Sequence, residues 1–281
     1  MRRLLIIAGS GVLPYYVAEV SRSKNDDPVV AVISNECSCD WSGFEYHNVS
    51  LGDFCALRLI LRQYDIGRIV IAGAVSQRCK IKDLRFSIKD SFKIPKLIWN
   101  LILGGDAALL TGVISFLESY GISVIGAHEI VPEFLAHMGP MGVCIPHKDD
   151  ERDIFSAMNA ADVLCKLDIG QSAVSVGGRV VALEGVEGTD FMLERIIDGK
   201  KNSKILPNKS GVLVKMCKLQ QDIRADLPSI GLLTIQNAIK ANLSGISLEA
   251  GKSFVLEKEA VIQAANEAGI FIYGINREFK I

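Results

Sequence analysis

The stretch LLIIAGSGVLPYYVAEVSR, residues 4–22, decides the reading of the fold. Leu4 to Ala8 is short and continuously apolar, as expected of a strand covered on both faces. Gly9-Ser10-Gly11-Val12-Leu13-Pro14 interrupts the run, and Tyr15 to Arg22 carries a helical pattern. The same alternation recurs through the first 130 residues. Strand-like runs occupy Val29 to Ile33, Ile69 to Ala72 and Ser123 to Ile125. Helical patterns occupy Phe54 to Tyr64, Ile94 to Leu103 and Ala107 to Tyr120. Strands alternating with helices in this way predict a parallel sheet. The expected fold class is α/β with two domains: an amino-terminal Rossmann-like parallel sheet and a carboxy-terminal mixed α/β domain.

The expected boundaries are 1–132 for a nucleotide- or phosphate-binding domain, 133–150 for a linker, and 151–281 for a catalytic domain. The linker is read from Pro132, Pro140 and Pro146 with Gly139 and Gly142. Beyond it, Asp153 to Cys165 reads as a helix, and Leu167 to Asp190, LDIGQSAVSVGGRVVALEGVEGTD, as a hairpin. Val174, Val176, Val180 and Ala182 alternate with smaller or polar residues, and Gly177-Gly178 supplies the positive φ of a tight turn. Glu184, Glu187 and Asp190 follow where the second strand ends, and Thr189 is placed to cap a helix beginning at Asp190. Strands are then expected at Gly211 to Lys215, Gly245 to Ser247, Phe254 to Leu256 and Ile270 to Tyr273. Helices are expected at Phe191 to Ile197, Ile230 to Ala241 and Lys258 to Ala268.

Bulk composition removes several function classes. With 31 basic and 32 acidic residues the chain carries no electrostatic footprint for nucleic acid. Seven cysteines without a C-x-x-C spacing read as reduced thiols of a cytoplasmic protein, not as a zinc site or a disulfide framework. The start, MRRLLIIAGSGVL, has the basic and apolar parts of a signal peptide but breaks at Gly9, so a buried strand is the economical reading. No uninterrupted apolar run of 18 residues predicts a transmembrane span.

Three loops carry candidate chemistry. The Gly9 to Pro14 loop enters a helix, whose N–H groups can receive a phosphate. Pro14 replaces the third glycine of a dinucleotide fingerprint, leaving phosphate or nucleotide binding, NAD binding, or a structural turn as readings. Gly104-Gly105-Asp106 opens another helix, with Asp106 either its cap or, with Gly105, a substrate contact. The third is Asp222-Ile-Arg-Ala-Asp226-Leu-Pro-Ser-Ile-Gly231. Asp226 is the expected central carboxylate, because Pro228 fixes the loop and a helix follows; Asp168, Glu187 and Asp190 are its expected partners. Carboxylates from separate loops suit magnesium, with Asp226, Glu187 and Asp190 as ligands. Asp226 either holds the metal or orients a water, with a solvated loop aspartate as the alternative. Lys215 would supply a fixed positive charge, and Gln171 either bonds substrate or caps a strand. His128 is either a substrate or interface contact or a structural histidine. No G-x-S-x-G elbow supports serine catalysis. Ile94 to Leu103 is apolar nearly all round and reads as core, an acyl-chain groove or a membrane contact.

The segments LDIGQSAV (167–174), EGTD (187–190), RADLPSIG (224–231), IAGSGVLP (7–14), GGDAALL (104–110) and IGAHEI (125–130) together resemble the UDP-2,3-diacylglucosamine diphosphatases of lipid A biosynthesis. The variety in question is unrelated to calcineurin-like phosphoesterases. The resemblance implies magnesium-dependent hydrolysis of a pyrophosphate in the cytoplasm, giving diacylglucosamine 1-phosphate and UMP by attack at the phosphorus nearer the sugar. It further implies substrate contacts at Gly9, Ser10, Gly11, Leu13, Pro14, Gly73, Val75, Gly105, Asp106, His128, Gln171, Gly188 and Thr189. Catalytic roles would fall to Asp226, Asp168 and Lys215. The chain departs from the family at Val75-Ser76-Gln77-Arg78, where the usual Val-Ser-Arg-Pro would place the arginine one residue earlier. The expected partner is a lipid-linked UDP-sugar lying between the domains, with peripheral contact to the inner membrane and a homodimer as further expectations. A Rossmann-type NAD oxidoreductase and a non-catalytic lipid or nucleotide carrier are the competing readings.

Overall fold

The computed structural model describes residues 2–37, 39–75, 84–85, 106–202, 210–219 and 222–280. Gly105, Arg78 and the expected helix at 94–103 lie outside the described residues, as does the side chain of Asp106. The chain divides into two compact units, Met1–Glu133 with Gln221–Asp226, and Phe134–Gln220 with Leu227–Ile281.

The first unit contains β1 (Arg3–Ala8), α1 (Leu13–Ser23), β2 (Val29–Ile33), β3 (Glu45–Val49), α2 (Phe54–Gln63), β4 (Ile66–Ala72), α3 (Asp106–Glu118), β5 (Ser123–Ile125) and α4 (Ala127–Ile130). Its five strands are all parallel in the order β3-β2-β1-β4-β5. Alternation along β1 sends Leu5 and Ile7 into a core with Leu57, Ile60, Ile114 and Leu117 of α2 and α3. Leu4, Ile6 and Ala8, all fully buried, face the other way, where α1 packs on β1 and β4. The strand absent from the sequence reading is β3, EYHNV, an edge strand with an exposed, polar burial pattern. Its assignment comes from five backbone pairings with β2, which leave no hydrophobic trace in the sequence.

The second unit is built on six strands in the order β6-β13-β11-β9-β7-β8. These are β6 (Gly139–Pro140), β7 (Ser172–Val176), β8 (Arg179–Leu183), β9 (Val212–Lys215), β11 (Gly245–Glu249) and β13 (Phe271–Ile275); β10 (Ser229–Ile230) and β12 (Phe254–Val255) form a separate parallel pair. The central strands β13, β11 and β9 are parallel, while β6, β7 and β8 join antiparallel. On one face Ala173, Val212, Val214 and Phe271 pack against Ile154, Ala157 and Ala161 of α5 (Lys148–Lys166). On the other, Val174, Leu213, Ile246 and Ile272 meet α6 (Thr189–Lys201), α7 (Leu232–Lys240) and α8 (Lys258–Ala268).

Two expected boundaries are corrected. The segment 133–150 is not a linker. Gly139 and Pro140 pair with Gly274 and Tyr273, Met141 N–H donates to Ile272 at 2.9 Å, and Ala136 N–H donates to Ser253 at 2.8 Å. A Cβ on Gly274 would lie 1.8 Å from the His137 carbonyl oxygen, so a glycine here serves close packing of this segment on β13. The catalytic domain expected as one run, 151–281, is also interrupted, because Gln221–Asp226 belongs to the first unit.

Candidate active site

In the second unit the hairpin delivers its acids as the sequence suggests, and an internal clamp fixes its turn. Gly177 and Gly178 adopt φ of 65° and 80°. Their N–H groups donate to the carboxylate of Asp153, at 3.0 and 2.6 Å, and Ser175 Oγ donates to it at 2.5 Å. Asp153 is 3% exposed, so α5 reaches through the sheet face to hold the turn.

Where β8 ends, a buried polar relay begins. The Lys215 ammonium at the end of β9 donates to Thr189 Oγ1 at 2.9 Å, and Thr189 donates onward to Glu184 Oε1 at 3.1 Å. Gln171 N–H donates to the other Glu184 oxygen at 3.3 Å. Glu184, Thr189 and Lys215 are all buried. A hydroxyl has one hydrogen and accepts through its lone pairs, so Thr189 can join an ammonium to a carboxylate. Thr189 is thereby corrected from cap to first helical residue. Gly188, at φ 84°, is the N-cap, because the threonine side chain is turned inward. Glu184 stands in the sequence as an acid directly after an alternating strand, but only Glu187 and Asp190 of that group were expected in the site; the buried member is Glu184. Gly170 makes the approach possible, since a Cβ there would lie 2.3 Å from the Glu184 carbonyl oxygen.

The other carboxylates expected in this unit point to separate partners. Asp168, at φ 53°, accepts from Lys218 Nζ at 2.7 Å. Asp190 accepts from Asn237 Nδ2 at 3.2 Å. Glu187 accepts from Arg195 at 2.5 Å. Its own backbone N–H, with Arg195 and the Gly185 backbone, holds the Glu187 carboxyl below its ordinary range against a smaller opposing effect of burial. The side-chain oxygen of Gln171 is buried without a hydrogen-bond partner among the described residues.

In the first unit the strand order reverses between β1 and β4, where ligands of open parallel sheets bind beyond the carboxyl ends. The loops there are laced together. Gly9 N–H donates to Ala72 at 2.8 Å, Ser10 N–H to Ala74 at 2.7 Å, and Ala74 N–H back to Ser10 at 3.1 Å. Ser10 Oγ also donates to the Ala74 carbonyl, at 2.8 Å. A Cβ on Gly9 would lie 2.4 Å from Ala74 O, and one on Gly73, at φ 86°, would lie 2.5 Å from Ser10 O and 2.9 Å from Pro14 Cγ. The amides of Gly9 and Ser10, expected as phosphate donors, therefore close a backbone junction instead. Gly11, at φ 88° with open space around it, and Leu13, first residue of α1, lie beyond that junction. Pro14 offers no N–H, and Val75 is exposed. At the same carboxyl edge, after β5, the His128 ring occupies the space a Cβ on Gly126 would take, 2.2 Å from Cε1. Its Nδ1 is buried with no partner among the described residues.

Asp226 is exposed at the end of the segment that returns to the first unit. The LpxI N-terminal domain family matches residues 3–134, and the LpxI C-terminal domain family matches residues 137–273. The chain belongs to the LpxI family. A relative from Caulobacter vibrioides, named UDP-2,3-diacylglucosamine pyrophosphatase LpxI, is 34% identical over 285 residues, covering 98% of this chain and 98% of that protein. Among solved structures, a GalE-like L-threonine dehydrogenase from Cupriavidus necator matches at 14% identity and TM-score 0.29, over 52% of this chain and 42% of that one. A UDP-glucose 4-epimerase from Thermus thermophilus matches at 12% identity and TM-score 0.29, over 99% of this chain and 88% of that one.

Among the described residues no group of three or more histidine, cysteine, aspartate or glutamate side chains is placed to hold an ion. Glu187 and Asp190, expected as ligands, accept hydrogen bonds from Arg195 and Asn237, respectively. Among the described residues, no helix of the chain is long and apolar enough to cross a membrane.

Proposed function

We propose that this LpxI-family chain hydrolyses the pyrophosphate bond of UDP-2,3-diacylglucosamine to 2,3-diacylglucosamine 1-phosphate (lipid X) and UMP, in lipid A biosynthesis. The observation that carries the reading is the 34% identity to the Caulobacter pyrophosphatase across 98% of both chains. In the reaction, water forms a bond to the phosphorus nearer the sugar, and that phosphorus loses its bond to the bridging oxygen, which departs with UMP. The water oxygen ends in the sugar phosphate, and its proton must be taken up by a base or by solvent.

The buried Lys215 ammonium, steadied by Thr189 and balanced by Glu184, supplies fixed positive charge for a phosphoryl oxygen. Magnesium is usually held by one or two carboxylates together with substrate phosphates, so Asp226 alone is a sufficient protein ligand. When bound, the ion would neutralise pyrophosphate charge and polarise the phosphorus. The carboxyl edge of the first unit, with Gly11, Leu13, Val75 and His128, suits the uridine nucleotide. A lipid product suits an enzyme working in the cytoplasm at the inner face of the inner membrane, which co-flotation with anionic liposomes tests; sedimentation tests the homodimer.

The deciding experiment is hydrolysis of radiolabelled UDP-2,3-diacylglucosamine with magnesium, with EDTA and with Asp226→Ala. Release of UMP and lipid X by the native protein is expected, with loss in the other two arms. No release by folded native protein would overturn the activity. Release undiminished in Asp226→Ala would leave the activity and remove Asp226. In heavy-oxygen water, label should appear in lipid X and not in UMP.

A further inference from the structure

We propose that Arg224, anchored by Glu118, is a positioning residue for Asp226. The inference rests on the reading of Asp226 above, and it starts from the course of the chain. Having built β9 in the second unit, the chain passes into the first for Gln221–Asp226 and returns to the second at Leu227. A detour of so few residues must be held by specific contacts to repay the ordering of its backbone.

Arg224 makes those contacts. Its Nε and Nη2 donate to the two oxygens of Asp222, at 2.9 and 2.7 Å, the bidentate geometry that a guanidinium fork favours. Nη1 reaches the frame of the first unit, donating to Glu118 Oε1 at the end of α3, at 2.7 Å, and to the Val124 carbonyl of β5, at 3.3 Å. Asp222 passes the constraint on. Its carbonyl accepts from the N–H groups of Ala225, at 3.0 Å, and Asp226, at 3.4 Å, while Ala225 packs on the core of the first unit. The backbone of Asp226 is thus tied to Asp222, Asp222 to Arg224, and Arg224 to α3 and β5. The electrostatics agree: hydrogen bonding to Arg224 holds the Asp222 carboxyl below its ordinary range.

A carboxylate displaced by about 1 Å from its working position can cost about 100-fold in rate. Loosening this tie should therefore lower kcat and leave binding of the lipid substrate nearly unchanged. Lysine at 224 can pair with Glu118 or Asp222 but cannot span both as the fork does, so Arg224→Lys should rescue only in part.

The test is steady-state and single-turnover hydrolysis of UDP-2,3-diacylglucosamine by Arg224→Gln, Arg224→Lys, Glu118→Gln, Asp226→Asn and the Arg224→Gln/Asp226→Asn double variant, with melting temperatures measured alongside. Arg224→Gln should lose about 10- to 100-fold in kcat with KM within about twofold, and should need more magnesium for half-maximal rate. Added to Asp226→Asn it should cause no further loss, because it acts through that residue. Unchanged kcat in folded Arg224→Gln, or losses that multiply in the double variant, would overturn the proposal. Full activity in Asp226→Asn would instead overturn the reading of Asp226. If Arg224→Gln does not fold, Glu118→Gln decides: a kcat loss absent in the Asp226→Asn background supports positioning, and an unchanged kcat removes it.

Discussion

Thr189 shows how much one hydroxyl can carry in this protein. It accepts from Lys215 and donates to Glu184, so an ammonium and a carboxylate share one buried hydrogen-bonded chain. Valine has nearly the same shape but neither function. Thr189→Val should therefore destabilise the fold by about 1–3 kcal/mol in urea unfolding, and Thr189→Ser should restore most of that. Turnover should follow the same order. Another residue is insulated chiefly by burial: the Cys165 thiol, 2% exposed, is pushed up to about 12, mainly by loss of hydration. Since the thiolate is the reactive form, Cys165 should resist iodoacetamide at about pH 8 in the native protein and react only after unfolding, as peptide mass spectrometry would show. The acids Glu184, Glu187 and Asp190 were all visible in the sequence. Which of them is turned inward was not, because Glu187 meets Arg195 and Asp190 meets Asn237 only once α6 is docked.

Among the elements, the β7–β8 hairpin was legible because its causes are local: an alternating pattern and two glycines that accept positive φ. The clamp on it was not legible. Asp153 lies 24 residues before Gly177 and reads from sequence as one more acid on an amphipathic helix. Asp153→Ala should cost about 2–4 kcal/mol, because it removes three hydrogen bonds to a buried carboxylate. Equilibrium denaturation would measure it, with Ser175→Ala as a milder companion. The loop after β1 teaches the reverse lesson. Its N–H groups were read as receiving a phosphate, with a structural turn among the alternatives, yet those of Gly9 and Ser10 bond to the chain leaving β4, and Gly9 and Gly73 let the two loops approach closely. The β3 strand escaped altogether, since an exposed edge strand needs no apolar alternation and is set by pairing with β2.

On the scale of the whole molecule, the Asp222–Arg224 tie gives stability a pH dependence of definite sign. Arg224 holds the Asp222 carboxyl below its ordinary value of 3.8 in the folded chain. The unfolded chain is therefore protonated first as pH falls, so the tie contributes fully above that ordinary value and is lost through the lower, folded one. Melting temperature measured from about pH 6 down to about pH 3 should fall less steeply in Asp222→Asn than in the native protein. The sequence by itself determined the α/β class, the central strands, the hairpin and the family, because each rests on local periodicity, turn chemistry or ordered motifs. Tertiary structure alone decided that 134–150 is a strand-forming part of the second unit and that Gln221–Asp226 returns to the first. It also decided which carboxylates are held by their own partners. Those outcomes depend on contacts between residues far apart in the chain, such as Arg224 with Glu118, and no local pattern encodes which distant partner a side chain will meet.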